Sequence, residues 1–187
     1  MITQTLQDLL SQDPRRQSFQ SQEYPKDLLF TKRVIFWINQ MGSPSEDLLI
    51  AAWGHVVKRW EIPRKKYPEG SKGYHEYRYA QSKLSADVVD KILRTENFAE
   101  DRIKKIRSIM MNRDASPHPE GQVLEDALCL AFLELKFEGY IPEWGEEKYI
   151  DILKNTLKKM SSKAQQLALT IAYSEEGKKL LTKALTC

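Results

Sequence analysis

Arg59, Arg64, Lys65, Lys66 and Arg78 lie in one turn-rich span, interleaved with Trp60, Tyr67, Tyr74 and Tyr77. Guanidinium groups take phosphate or carboxylate in bidentate fashion, and aromatic rings stack on planar groups and cations. The composition therefore suits a small phosphorylated or nucleotide-like ligand. It equally suits a solvated basic loop with tyrosines packed beneath arginine stems. On a helix, Tyr74, Arg78, Gln81 and Ser85 share one polar edge, which favours a lined pocket. Upstream, His55 and Arg59 stand one helical turn apart in the string from Ala51 to Trp60. They read as a general base or ligand beside an anion-binding arginine, or as a hydrogen-bonded core histidine and a surface arginine.

A second constellation is Glu125-Asp126, at the entrance of the stretch Glu120–Phe137. From Val123 to Leu135 nearly every residue is apolar, rich in Leu and Ala and without a β-branched run. The expectation is a helix apolar all round, enclosed by its neighbours. At least one of the two carboxylates is then buried and needs a partner or a raised pKa. Adjacent helix positions diverge by about 100°, so the two form no matched acid–base dyad. Asp126 facing His55 and the arginines is a ligand, an orienting group or an internal salt bridge, with Glu125 beside it.

The string Lys158-Lys159-Met160-Ser161-Ser162-Lys163 resembles the lysine-bearing signature loop of class I aminoacyl-tRNA synthetases. Its partner His-x-Gly-His motif is absent from the sequence. Lysines in a last helical turn complement the helix dipole and account for the run without further chemistry. His75 and His118 read as surface residues. The sequence holds no Cys/His cluster of zinc spacing, no Gly-rich phosphate loop and no Gly-x-Ser-x-Gly elbow. It assigns no metal ligand set and specifies no cofactor.

The elements that must position these groups are helical. Residues 2–11 predict a short helix, and 15–25 a polar, extended surface connection. Pro25 is placed to open a helix carrying Leu28, Leu29, Val34, Ile35, Trp37 and Ile38, broken by Gly42-Ser43-Pro44. Ser45-Glu46-Asp47 starts the next helix, with Leu49, Ala52, Trp53, Val56 and Trp60 at helical spacing. Residues 61–73 form a loop. Tyr74–Arg94 forms a long helix with Ala80, Leu84, Val88 and Ile92 inward. A helix at 100–112 follows, with Ile103, Ile106, Ile109 and Met110. The loops 114–119 and 139–145 flank the central helix. A further helix reaches about Met160 through Ile150, Leu153 and Leu157, and 167–173 and 178–185 form one or two closing helices. With no period-2 strand pattern and no internal repeat, the expectation is all-α: a single helical bundle of about seven to nine helices spanning residues 1–187.

The chain's 187 residues suit one domain. Its formal charge of +3, with both signs interspersed, argues against nucleic acid. The cysteines, Cys129 and Cys187, form no disulfide framework, and a reducing compartment fits best. No apolar run approaches a membrane span and Met1–Gln12 lacks a signal pattern, so a cytoplasmic protein is expected.

Four strings occur together: His55-x3-Arg59-Trp60-Glu61-Ile62-Pro63-Arg64-x2-Tyr67-Pro68, Gly73-Tyr74-x2-Tyr77-Arg78, Gln122-Val-Leu-Glu125-Asp126-x2-Cys129, and Lys158-Lys-Met-Ser161. The combination resembles an uncharacterised domain family, of unknown function, whose members are sometimes labelled glutamyl-tRNA synthetase. The resemblance implies one shared site or core and brings no activity. More remotely, the order of parts is similar to the HD-domain metal-dependent phosphohydrolases. Ala51-Ala52-Trp-Gly-His55 matches that superfamily's first ligand helix, and Asp126-Ala127-Leu128-Cys129-Leu130 its later Asp helix. Val56 stands where those enzymes carry a metal-binding Asp, and Ser85 where a further His is sought. An HD-like fold is thus implied with at most two ligands, His55 and Asp126, where hydrolytic metal sites need three or more.

The resulting expectation is a pocket with His55 and Asp126 as catalytic candidates and Arg59, Arg64, Tyr67, Tyr74, Arg78 and Glu125 as ligand-binding ones. It would take a small phosphorylated ligand. The alternatives are a non-catalytic interaction module whose charges form structural ion pairs, and an RNA-associated protein. The sequence leaves oligomeric state open.

Overall fold

The computed structural model describes residues 2–111, 118–140 and 146–186. Parts of the two loops expected around the central helix, and Cys187, lie outside them. Among the described residues the chain forms nine α-helices and one β-hairpin. They are α1 (Ile2–Ser11), β1 (Arg16–Phe19), β2 (Gln22–Pro25), α2 (Lys26–Met41), α3 (Glu46–Gly54), α4 (Gly70–Thr95), α5 (Glu100–Met111), α6 (Pro119–Leu135), α7 (Glu146–Leu157), α8 (Ser162–Ala168) and α9 (Glu175–Thr186). The protein is all-α apart from that hairpin.

Helix α6 is the axis the sequence indicates: no residue from Val123 to Leu135 is fully exposed. Its Leu124, Ala127, Leu130, Ala131 and Leu133 are buried in one core with Val34 and Ile38 of α2, Leu48, Ala51 and Ala52 of α3, and Ile103, Ile106 and Ile109 of α5. Helix α2 lies most extensively along α6. The pair is fastened by Glu134, which accepts from Arg33 Nε at 2.8 Å and Nη2 at 2.7 Å and from Trp37 Nε1 at 3.0 Å. Ser45 caps α3 by accepting from the Leu48 N–H at 3.1 Å, and Ser161 caps α8 by accepting from Ala164 N–H at 3.3 Å.

Three local expectations are corrected. Residues 16–25 form a two-stranded antiparallel hairpin, pairing Arg16 with Pro25 and Phe19 with Gln22. Its turn residues, Gln20 and Ser21, have φ of +49° and +63°. A two-residue hairpin of this sort usually announces itself with Asn-Gly or Asp-Gly; Gln-Ser, flanked by polar strands, carries no such signal.

The second correction is that α3 stops at Gly54, whereas helical spacing carried it through Trp60. Residues 55–58 are turns, Lys58 is left-handed at φ +59°, and Arg59–Glu61 is a single 3-10 turn. The helix can end here because α4 supplies partners for the freed carbonyls. Ser85 Oγ donates to Val57 O at 2.8 Å and Gln81 Nε2 to Arg59 O at 3.1 Å.

The same bonds give the third correction. Helix α4 turns Gln81, Ser85, Val89 and Leu93 inward, with Leu84, Val88 and Ile92 only half-buried. Its polar edge is drawn inside by the carbonyls it satisfies. Two glycines permit this packing. A Cβ on Gly54 would lie 2.5 Å from Val89 Cγ2, and one on Gly73 would lie 2.0 Å from the Pro68 carbonyl oxygen. No helix of the described residues is long and apolar enough to cross a membrane.

Candidate functional site

The groups the sequence singled out around residues 55–78 converge, but on an acid it did not single out. Asp27, in the first turn of α2, is fully buried. Pro25, at that helix's N-cap, has no side-chain oxygen to offer the free N–H groups. Asp13, from the turn after α1, takes this part from outside: its Oδ2 accepts the Asp27 N–H at 3.0 Å. Arg15 binds Asp13 through Nε at 2.9 Å and Nη2 at 2.8 Å, and its Nη2 also reaches Asp27 Oδ2. Arg59 clamps Asp27 from the other side, Nε to Oδ2 at 2.8 Å and Nη2 to Oδ1. The four side chains form a chain of alternating charge, Asp13–Arg15–Asp27–Arg59, balanced within itself. Burial works against the charge on Asp13, and the hydrogen bonds from Arg15 and Asp27 N–H overcome it, holding the carboxyl below its usual range.

Around this balanced core stand further cations. Phe30, one helical turn beyond Asp27, is the floor they share. Lys136 Nζ lies 4.3 Å from the centre of its ring, the Arg59 guanidinium 5.6 Å, and the His55 ring centre 6.0 Å. Lys136 Nζ makes no hydrogen bond and no ion pair among the described residues. Burial lowers its pKa, and the repulsion of Arg59, Lys26 and Arg78 exceeds the help of Asp27, leaving it at about 7. The Arg78 guanidinium makes one hydrogen bond, to Gln81 Oε1 at 3.2 Å, and has no carboxylate partner among the described residues. Burial and the neighbouring Arg59 push its pKa down. The centre thus holds two half-buried cations, Arg78 and Lys136, beyond what its acids neutralise.

His55 completes the group. Its Nδ1 lies 2.6 Å from Ala52 O, so this nitrogen carries the proton and donates. Nε2 is left as a buried lone pair with no partner among the described residues. Burial depresses its pKa to about 3, with Arg59 and Arg78 adding to that effect against the Ala52 carbonyl and Asp27. His55 is ordinarily protonated below about pH 6.5 when the chain is unfolded. The folded state therefore binds fewer protons between about pH 6.5 and 3, and stability is lost as the pH is lowered across that window. The expected slope is on the order of 1 kcal/mol per pH unit. Urea unfolding between pH 6.5 and 5, above most carboxylate titration, will show the slope in the wild type and not in His55→Gln.

Of the other expected site residues, Arg64 donates through Nη1 to the carbonyls of Tyr67 and Pro68, both at 2.9 Å, and lies over the Tyr77 ring. It fastens the loop after α3. Tyr67 packs on Tyr77 with ring centres 5.6 Å apart, and Tyr74 stacks beyond at 6.5 Å, half exposed. These tyrosines border the cationic centre through Tyr77, whose hydroxyl meets Gln81 Nε2 at 2.8 Å.

Asp126 and Glu125 lie elsewhere. Asp126 is buried as expected, but its oxygens accept from Gln122 Nε2 at 2.9 Å, Ser161 N–H at 2.8 Å and Ser161 Oγ at 2.5 Å. It docks the start of α8 onto α6. The string Lys158-Lys159-Met160-Ser161 is accordingly a helix connection, with Met160 buried and Ser161 the cap. Glu125 pairs at 4.0 Å with Lys159, on the same side. Asp126→Ala removes the acceptor for two donors of Ser161 and should lower stability by about 1–3 kcal/mol, read by urea denaturation, with the cationic centre untouched.

Ser85, the position compared with a metal-binding His, is buried and holds the Val57 carbonyl. Among the described residues no three His, Cys, Asp or Glu side chains gather to hold a metal ion. Two surface cavities lie away from these groups. One of about 170 Å³ is lined by Ile38, Met41 and Val123 among others, and one of about 360 Å³ by Ile2, Ile50 and Phe98 among others.

Asp27 and Lys136 are the residues that sequence reasoning missed. Asp27 did leave a signal: Asp27, Phe30, Thr31, Val34 and Ile38 fall at the spacing of a single buried stripe. Lys136, flanked by Leu135 and Phe137 at the end of an enclosed helix, left a weaker one.

A family model described as a domain of unknown function (DUF4202) matches residues 2–181. No curated protein and no solved structure matches the chain.

Proposed function

The chain belongs to this domain family, which carries no activity with it, and we propose from the site alone that it binds a small phosphorylated anion. The single observation behind this reading is the unbalanced charge: Arg78 and Lys136 stand beside Arg59 with no carboxylate of their own among the described residues. Cations partly withdrawn from water without partners are costly, and a bound anion offsets that cost by accepting charge-assisted hydrogen bonds from both. The unpartnered Nε2 of His55 accepts a hydrogen bond from a protonated phosphate oxygen or a ligand hydroxyl. Tyr74 and Tyr67, at the border, offer faces to a planar group such as a nucleobase.

In this proposal Arg59 is held by Asp27 and aims the centre, Arg78 and Lys136 contact the anion, and Arg64 and the tyrosines support the rim. Asp126 has no part in it. The remote resemblance to HD-domain proteins rests on the order of two strings alone, His55 before Asp126, and the proposal takes no metal chemistry from it. The network Asp13–Arg15–Asp27–Arg59 on its own fits the alternative of a module whose charges are structural ion pairs. The surplus cations favour the binding reading over it.

Thermal denaturation with inorganic phosphate, pyrophosphate, ribose 5-phosphate and ADP tests the proposal. A ligand at one hundred times its dissociation constant stabilises by about 2.7 kcal/mol. At least one of these anions is expected to raise the melting temperature of the wild type and of Asp126→Ala, and not of Arg78→Met. A wild type indifferent to all four at millimolar concentration, or an equal shift in Arg78→Met, overturns it.

A further inference from the structure

We propose that Lys136 is an imine-forming residue, whose amine condenses with a small aldehyde or ketone that carries a phosphate. The proposal rests on the anion-binding reading above and goes beyond it, since it assigns covalent chemistry to one of the site's cations.

Four features of the structure converge on Lys136. Its Nζ has no hydrogen bond and no ion pair among the described residues, so no acid holds it as an ammonium ion. It stands 4.3 Å over the Phe30 ring, an apolar floor that favours the smaller, uncharged amine once the surrounding cations oppose its charge. The electrostatic attraction between an ammonium ion and a ring is worth about 0.5–2 kcal/mol, and here burial and repulsion from Arg59, Lys26 and Arg78 outweigh it. Finally, Lys136 is only half-buried, so a small molecule can reach it. A desolvated lysine beside other cations is a recognised way to produce an amine nucleophile near neutral pH.

The bond changes are simple. The nitrogen lone pair of Lys136 attacks the carbonyl carbon, and the carbonyl π pair moves to oxygen. The oxygen then leaves as water with the two amine protons, giving a C=N double bond and no net change of oxidation state. Arg78, beside Arg59, is the cation left to meet the ligand's phosphate.

The test is imine trapping. The wild type is incubated at pH 7 with submillimolar glyceraldehyde 3-phosphate and sodium cyanoborohydride, and labelled peptides are mapped by mass spectrometry. Parallel samples contain excess inorganic phosphate, and inorganic phosphate binding is measured separately by calorimetry. Two variants are included, Lys136→Met and Lys136→Arg, the second retaining the charge without a condensing amine. Circular dichroism verifies that both fold. The expected result is a single label on Lys136 that phosphate suppresses, with background labelling in both variants. A label spread over exposed lysines such as Lys72, with Lys136 unmodified while phosphate still binds, overturns the imine and leaves the anion site standing. Phosphate that neither binds nor protects overturns the reading beneath it, and the phosphorylated substrate class with it.

Discussion

Asp27→Asn is expected to destabilise the protein by about 3–5 kcal/mol, the range for removing one partner of a buried ion pair. The carboxylate is fully buried and takes guanidinium donors from both sides, Arg59 and Arg15. Asparagine keeps the shape and one acceptor oxygen but removes the only charge between these arginines. Arg59 is then left with Arg78 and Lys136 in an environment it cannot readily leave, because it is buried and its carbonyl is held by Gln81 of α4. For a chain of this size the loss corresponds to a fall in melting temperature of roughly 6–20 °C. Arg59→Met is predicted to cost less, since Asp27 keeps Arg15 as a partner. The order of the two variants by urea denaturation is the decisive measurement. An Asp27→Asn protein within about 1 kcal/mol of wild type would show that the network is solvated and contributes little. Added phosphate should restore more stability to Asp27→Asn than to wild type, because the anion replaces the missing negative charge.

Lys136→Met is expected to work in the opposite direction, making the unliganded protein more stable. The sign follows from proton linkage. Lysine in the unfolded chain titrates near 10.5, and in the folded protein Lys136 titrates at about 7. Between these values the unfolded state binds more protons, so wild-type stability rises with pH from about 7 to about 10.5. Below pH 7 the full cost of holding the ammonium is present, and above about 10.5 it is gone. Methionine fills the space over Phe30 without charge, and at pH 7 the gain should be about 1–3 kcal/mol after allowing for partial exposure to solvent. The groups that face this amine are Arg59, Arg78, Lys26 and Asp27, with His55 across the Phe30 ring. None of these changes in the variant, so the pH-dependent difference from wild type reports Lys136 itself. Unfolding free energies of both proteins at pH 6, 8 and 10 check this: the gap must close as pH rises.

The same substitution should weaken anion binding by about 1.5–3 kcal/mol, the value of a hydrogen bond to a charged group, or roughly tenfold to a hundredfold. Sulfate is the better probe here, because its charge is constant across the range. Its affinity for the wild type should fall as pH rises above 7, with proton uptake on binding. A variant more stable alone and weaker toward anions is the pattern of a residue kept for binding at the expense of stability. A variant that is less stable and binds sulfate equally well would place Lys136 in the packing alone.

The particular residues explain how much was legible beforehand. Helix positions followed from local chemistry: Pro25 before α2, the Ser45 cap and first-turn acids of α3, and the apolar run of α6. Membership of the cationic group was legible for Arg59, Arg78 and His55, although the geometry assumed for them was not. His55 and Arg59 were expected on one helical edge, and a left-handed Lys58 intervenes. Asp126 was legible as a buried acid but not as a partner of Ser161, since nothing local fixes which of several distant groups a buried carboxylate meets. Asp27 has the form of an ordinary first-turn acid, favourable to the helix dipole, and Lys136 that of a base at the end of α6. Their surplus and shortage of partners exist only once α2, α4 and α6 are brought together.

The sequence by itself determined the bundle, its central helix and the families of side chain available for chemistry, because periodicity and capping act over a few residues. Tertiary structure decided which acid anchors the centre and which cations remain unbalanced. Burial and electrostatic pairing depend on distance in space, and Asp27, Arg59, Arg78 and Lys136 meet only when the chain has folded.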